Sequence, residues 1–252
     1  MDKATFGSIY ERYEPLMDPN SRSFCKRVFE SGLGVYADRL SAIEFEGMEH
    51  VLDAGCGFGQ WACALADANA HVSAVDVDGI RLAFLRDLAD ATARSIKTEW
   101  SQLKSLPFSE SSHDGVFCFG AVFIDDWKSA LAEFHRVLCP GGRLYFNFNQ
   151  IGWYVNLWMN EPNAESNYDP RASAAQALVN TIDYKSGVEP RCPGGKVITQ
   201  SECEAELQSL GFAEIEFGAD GAIDRSSSSP KQFFPEGYFG LPGVTEVLCK
   251  KC

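Results

Sequence analysis

Short apolar runs alternate with amphipathic stretches through the middle of the chain, and the two periods are those of strand and helix. His50–Ala54, residues 72–76, Ile96–Trp100, residues 115–119 and residues 144–148 read as buried strands, the third of them weak. Between them, Gln60–Ala68 sets Trp61, Ala64 and Leu65 on one helical face, and a second helix spaces Leu82, Leu85 and Leu88 or Ala89. A third, over about 126–138, carries a stripe of Trp127, Leu131, Phe134 and Leu138 that Cys139-Pro140-Gly141-Gly142 terminates. Strand and helix repeat at a spacing of roughly 20–30 residues, which predicts right-handed βαβ units and a parallel sheet covered on both faces. The expected fold is doubly wound α/β.

Outside this region the pattern changes. The first fifty residues read as helices, with Phe24, Val28 and Phe29 following an Asn20-Ser21 cap. Regularity lapses over 150–197, rich in Asn, Pro and aromatics, and this stretch is expected to be an insertion with a helix near 173–183. Order returns with a helix over Gln200–Leu210, a strand at 212–217 and a last strand at 244–249. The serines of 226–229 read as a flexible connection.

Composition narrows the partners. The 252 residues, 45% hydrophobic, suit a large α/β domain with a substantial core. Twenty-two basic against 35 acidic side chains give a net charge of -13, a surface that repels phosphate backbones and anionic leaflets. A small-molecule partner is expected, with neither nucleic acid nor membrane. The longest apolar stretch, 116–124, is too short to cross a bilayer. The charged start, MDKATFGSIYERYEPL, lacks the apolar region of a signal peptide, so a cytoplasmic protein is expected. The nine cysteines (25, 56, 63, 118, 139, 192, 203, 249 and 252) are odd in number and read as reduced, core-filling thiols. Cys249 and Cys252 form a single CxxC with no second pair to complete a metal site, and none is expected.

The candidate chemistry begins where the first strand ends. Gly55-Cys56-Gly57-Phe58-Gly59 joins that strand to a helix, a turn in which backbone can approach a ligand at the carboxyl end of a central strand. It departs from the dinucleotide pattern, because Gln60 holds the sixth position and glycine comes one residue early. Asp76 ends the second strand nineteen residues after Gly57, the place from which a carboxylate reaches a ribose diol.

In this setting 51–59, Val-Leu-Asp-Ala-Gly-Cys-Gly-Phe-Gly, resembles the first motif of class I S-adenosylmethionine-dependent methyltransferases, of the type 11-like, small-molecule-acting kind. Asp76 matches their acidic residue after the second strand. Ser105-Leu106-Pro107-Phe108 with 114–118 is similar to their LPF and FD-hydrophobic segment, His113 standing where Phe is usual. Residues 133–142 resemble their E-x-x-R-V-L-x-P-G-G signature, and Leu210-Gly211-Phe212 their turn into the sixth strand. The resemblance implies a Rossmann-like seven-stranded sheet of order 3-2-1-4-5-7-6 with an antiparallel last strand. It implies residues 1–47 as a helical lid on a core of 48–252, with 150–197 on the substrate side.

The same resemblance implies roles. Gly55, Gly57 and Gly59 would pass along the methionine and ribose of S-adenosyl-L-methionine. Asp53 would order the turn and meet the amino group through water, and Asp76 would take the ribose hydroxyls. Val77 would lie against adenine, with Gln102 and Leu103 at its edge. Phe119 and Gly120 would border the sulfonium. Tyr10 and Tyr13 resemble tyrosines of the family's lid helix, or pack as an ordinary amphipathic helix. Methyl transfer from a sulfonium demands alignment more than a fixed catalytic residue. None of the four histidines is placed as a base; Asp169, Asp183, Glu161, Glu165 and Tyr154 are available for an alcohol acceptor. Trp153, Tyr154, Asn156 and Trp158 follow the fifth strand and either line an acceptor pocket or pack the insertion onto the sheet. The expected reaction is methylation of a small molecule, sugar-like or aromatic, at oxygen. The alternatives are nitrogen or carbon methylation of a metabolite, or a non-catalytic protein that binds the cofactor.

Overall fold

The structure, a computed structural model, describes residues 3–252 except 31, 125, 165–167, 189–193 and 227–228. Within them lie strands β1 (His50–Ala54), β2 (His71–Asp76), β3 (Ile96–Trp100), β4 (His113–Cys118), β5 (Leu138–Asn149), β6 (Phe212–Ala219) and β9 (Val244–Lys251). A small hairpin, β7 (Gly237–Tyr238) and β8 (Leu241–Pro242), stands apart. The seven pair in the order β3-β2-β1-β4-β5-β9-β6. β9 runs antiparallel to both β5 and β6, while the first five strands are parallel. The expected sheet order and antiparallel last strand therefore hold.

Helices α1 (Lys3–Tyr13), α2 (Pro19–Glu30) and α3 (Gly34–Ala42) precede the sheet. Then come α4 (Gln60–Ala68), α5 (Gly79–Ala91), α6 (Trp127–Val137), α7 (Ile151–Asn160), α8 (Pro170–Lys185) and α9 (Gln200–Leu210). Short polar residues start several of them, as orphan helical N–H groups require. Asp78 accepts from the amides of Ile80 and Arg81 at the head of α5. Thr199 and Glu202 form a reciprocal capping box on α9, and Gly211, at φ 90°, ends that helix.

The sheet is covered on two faces. On one, α1 to α5 share a single core in which the fully buried Phe84 meets the rings of Phe6, Tyr13, Phe29 and Phe58 at 5.5–6.3 Å. Removing that ring would cost about 3–5 kcal/mol. On the other face α6 and α9 bury Leu131, Phe134, Cys203 and Leu207 against Val116, Val247 and Cys249. Through the first face runs a fully buried charge cluster. Arg39 of α3 donates at 3.0 Å to Tyr145 of β5, to Asp220 beyond β6 and to Glu246 of β9.

The E-x-x-R signature is a clip. Glu133 accepts the amide N–H of Leu106 at 2.8 Å, and Arg136 donates to the carbonyls of Leu106 and Phe108 while pairing with Glu133 at 2.7 Å. It fixes the segment after β3 that carries Gln102 and Leu103. Two features differ from the sequence reading. β5 begins at Leu138, well ahead of 144–148, and 151–160 is the helix α7 instead of irregular chain. The β-branched and aromatic residues of α7 argue weakly for a helix; packing against α8 and the β7–β8 hairpin imposes it. Gly152 is needed there, since a Cβ would stand 2.5 Å from the Pro242 carbonyl.

Candidate cofactor and acceptor site

A cavity of about 820 Å³ opens at the carboxyl ends of β1 to β4. Its floor is the glycine turn. Gly55 lies so close to the chain after β4 that a Cβ would come 2.5 Å from that of Ala121. Gly57, at φ 54°, donates its amide N–H to Asp76 Oδ2 at 2.9 Å, and a Cβ there would project into open space. Gly59 has a different reason. It faces away from the cleft, and a Cβ would sit 2.2 Å from Leu85 Cδ1, so this glycine brings the turn against α5.

Asp76 is nearly buried, its second oxygen accepting the Asp78 amide at 2.9 Å. An ionised carboxylate accepts about four hydrogen bonds, so both oxygens keep capacity for a diol. Beside it Val77 (57% exposed) and Trp100 (62% exposed) project at the cleft edge, joined by a 2.8 Å bond from the indole N–H to the Val77 carbonyl. Gln102 and Leu103 follow on the clipped segment. Across the cleft stand Phe119 and Gly120, the Gly120 amide donating to Asn147 Oδ1 at 2.6 Å.

Asp53 lies behind the turn, 1% exposed, with Oδ2 buried and lacking a hydrogen-bond partner. Burial, reinforced by the Asp76 charge, pushes its carboxyl up to about 8. An orphaned buried oxygen under the turn suits a ligand that brings a donor.

The remaining expected residues divide. Tyr10 is buried and donates to Glu14, and Tyr13 donates to Asp87 on α5; neither lines the cleft, where Phe24 of α2 does. A helical α7 spreads Trp153, Tyr154, Asn156 and Trp158, expected on the acceptor side, around its circumference. Tyr154 is buried, its hydroxyl donating to the Lys196 carbonyl at 2.9 Å. Asn156 is buried and accepts from Asn160, and Trp158 is half exposed, its carbonyl held by Arg171. Only Trp153 turns toward the cleft's neighbourhood, edge-on to Phe234 at 5.3 Å and near Tyr238 at 5.9 Å. Of the possible bases, Asp169 caps α8 and Glu161 pairs with Arg171; Glu165, like Cys192, lies outside the described residues.

Several cleft residues escaped the sequence reading. Trp100 was signalled by register alone, since it pairs with Asp76 across β2 and β3. Arg81, one turn into α5, stacks over Phe58 at 5.3 Å. Gln60 opens α4 with a buried, unpartnered Oε1. The insertion contributes Tyr184, Val188 and Lys196, and Tyr184 donates to Asp126 at 2.5 Å. No helix among the described residues is long and apolar enough to cross a membrane.

Comparison with known proteins bears on the same residues. A family model described as a methyltransferase domain matches 51–142. The O-methyltransferase resE of Aspergillus sclerotiorum is 26% identical over 84% of this chain and 96% of its own length. A demethylmenaquinone methyltransferase of Deinococcus radiodurans is 35% identical over 55% of this chain and 56% of its own. Among solved structures, the magnesium protoporphyrin IX methyltransferase of Synechocystis PCC 6803, with bound SAH, superposes with a TM-score of 0.54 at 14% identity, covering 90% of this chain and 85% of that one. The matched region spans the glycine turn, Asp76 and the Glu133–Arg136 clip, and over these residues the chain is similar to methyltransferases whose methyl donor is S-adenosylmethionine.

Proposed function

We propose that the chain methylates a small molecule at oxygen. The observation that carries this reading is the two-part lining of the cleft. One part is the cradle of Gly55, Gly57 and Asp76; the other is made by Phe119, Phe24, Trp61, Ile124, Tyr184 and Val188, with Asp126 and Lys196 as its polar groups. A ligand in the cradle leaves an apolar, partly enclosed annex for a second small molecule. The relatives named O-methyltransferases support oxygen as the acceptor atom.

Bound S-adenosylmethionine supplies a methyl group already activated on a sulfonium. The side chains hold it: Asp76 takes the ribose hydroxyls, Val77 and Trp100 cover adenine, and Gln102 meets its edge. Asp53, behind the turn, meets the amino group through water. Asn147, by fixing the Gly120 amide, holds the loop that borders the sulfonium. The apolar lining excludes water, which would compete for the methyl group. Helices α1 to α3 act as a cover through Phe24.

The test is calorimetric titration with S-adenosylmethionine and, separately, NAD. An acceptor screen over phenols and sugars follows, read by release of S-adenosylhomocysteine. Micromolar binding of the first ligand alone, with turnover of a hydroxyl compound, is the expected result. Binding with turnover only of amines or carbon nucleophiles would overturn the choice of oxygen. Binding without any turnover would point to a regulatory protein.

A further inference from the structure

The chain between β6 and β9 is held by charge from inside the core. Asp220, fully buried, accepts the amides of Phe233 (2.5 Å) and Phe234 (3.0 Å) through Oδ2 and the Arg39 guanidinium (3.0 Å) through Oδ1. Arg39 also donates to the Lys231 carbonyl at 2.6 Å. Glu246 completes the cluster, accepting from Arg39, from the Tyr145 hydroxyl at 2.6 Å and from the Ile223 amide at 2.7 Å. Burying a guanidinium with two carboxylates is expensive unless each is fully engaged. Here the engagement fixes the backbone of 231–234 from two sides.

What that backbone presents is aromatic. Phe233 meets Phe119 edge-on at 5.8 Å and Trp61 at 5.9 Å. Phe234 lies within 20° of parallel to Phe119, 6.4 Å away, and edge-on to Trp153. Trp153 continues to Tyr238 on the small hairpin, itself seated on the first turn of α7 at Gly152. Phe119, Phe233, Phe234, Trp153 and Tyr238 are all only partly buried. A partly buried aromatic wall thus runs outward from Phe119, with the paired charges of Arg39, Asp220 and Glu246 behind it. Ring faces and edges recognise planar π systems, and a sugar would need a fan of hydrogen-bonding side chains besides a ring to stack on, whereas Phe119, Phe233 and Phe234 offer none.

We propose that this wall, which adjoins the annex at Phe119 and Trp61, extends it to receive the ring of the acceptor and selects a planar aromatic alcohol, with Phe234 and Trp153 touching that ring. Arg39 and Asp220 are positioning residues that act through the 231–234 backbone. The proposal rests on the methyl-transfer reading above, since Phe119 is the residue that reading sets beside the sulfonium.

The test uses the full chain saturated with S-adenosylhomocysteine and titrated calorimetrically with 2-naphthol, with cyclohexanol as the non-aromatic control. The expected result is saturable 2-naphthol binding and much weaker cyclohexanol binding. Phe234→Ala should weaken 2-naphthol about tenfold, and Phe234→Trp should restore it. Asp220→Asn should weaken 2-naphthol comparably while the affinity for S-adenosylhomocysteine changes less than twofold. Equal binding of 2-naphthol by wild type and Phe234→Ala, equal affinity for cyclohexanol, or no 2-naphthol binding with S-adenosylhomocysteine bound would each overturn this proposal alone. Failure of the wild-type chain to bind S-adenosylhomocysteine would overturn it together with the reading beneath it.

Discussion

Asp76 and Gly57 are joined by a 2.9 Å hydrogen bond in which the carboxylate accepts the amide of the glycine turn. The bond ties the end of β2 to the turn after β1, so the acidic side chain is oriented before any ligand arrives. Asp76→Ala removes both the orienting bond and the acceptor for the ribose. The affinity for S-adenosylmethionine should fall about 10- to 100-fold, or roughly 1.5–3 kcal/mol. Calorimetry checks this, and an unchanged affinity would remove Asp76 from the ribose site.

The glycines can be separated by experiment. Gly57→Ala strains a positive φ and puts a methyl into the cleft, so cofactor affinity should drop while melting temperature falls only a few degrees. Gly59→Ala collides with Leu85 behind the turn and should lower the melting temperature more. If both variants behave alike in binding and in melting, the division of roles between them fails.

Asp53 makes the ligand-free protein less stable as pH rises toward 8. Its folded carboxyl titrates near 8 against 3.8 for the unconstrained group, so the folded state holds a proton the unfolded chain has released. Its contribution to stability therefore declines as pH rises from about 4 to 8. Asp53→Asn should abolish that decline, seen as a flatter plot of melting temperature against pH. A plot parallel to wild type across the window would show that Asp53 titrates normally.

His113 works in the opposite sense. Burial beside Phe108 lowers its pKa from 6.5 to about 4, so the folded chain keeps the imidazole neutral where the unfolded chain protonates it. The stability it confers is complete above pH 6.5 and is lost as pH falls toward 4, up to about 3 kcal/mol. His113→Phe should flatten the acid limb of denaturation curves. A variant with the same acid limb as wild type would assign that limb to other groups.

The sequence disclosed the half of the site built from local chemistry. The glycine turn, Asp76 and the strand ends follow from adjacent residues whose spacing repeats, and the structure sets Gly55, Gly57, Asp76, Val77, Gln102 and Phe119 around one cavity. The proposed acceptor wall depends on long-range partners. Phe233 and Phe234 lie in an aperiodic stretch between serines and a Pro-Glu-Gly turn, and their amides are fixed by Asp220 and, through it, by Arg39, 181 residues away from Asp220. No pattern within either segment announces that pairing. The acceptor-side aromatics of α7 were visible as residues, but their directions depended on a helix that weak local propensity did not announce. Tyr10 and Tyr13 likewise satisfy a helical pattern, but Tyr13 turns to Phe84 and Asp87 of α5 and Tyr10 to Phe6 and Glu14.

The placement of β9 has a kinetic consequence. It comes last in the chain yet lies inside the sheet, between β5 and β6. The parallel strands with the glycine turn are made first, but Arg39 and Tyr145 then wait without their Glu246 partner until residues about a hundred positions further on have emerged and threaded between two strands. Such late, non-local closure favours slow folding and a populated intermediate with an open edge at β5. During synthesis, that edge would be the part of the molecule most exposed to mispairing and most in need of a chaperone.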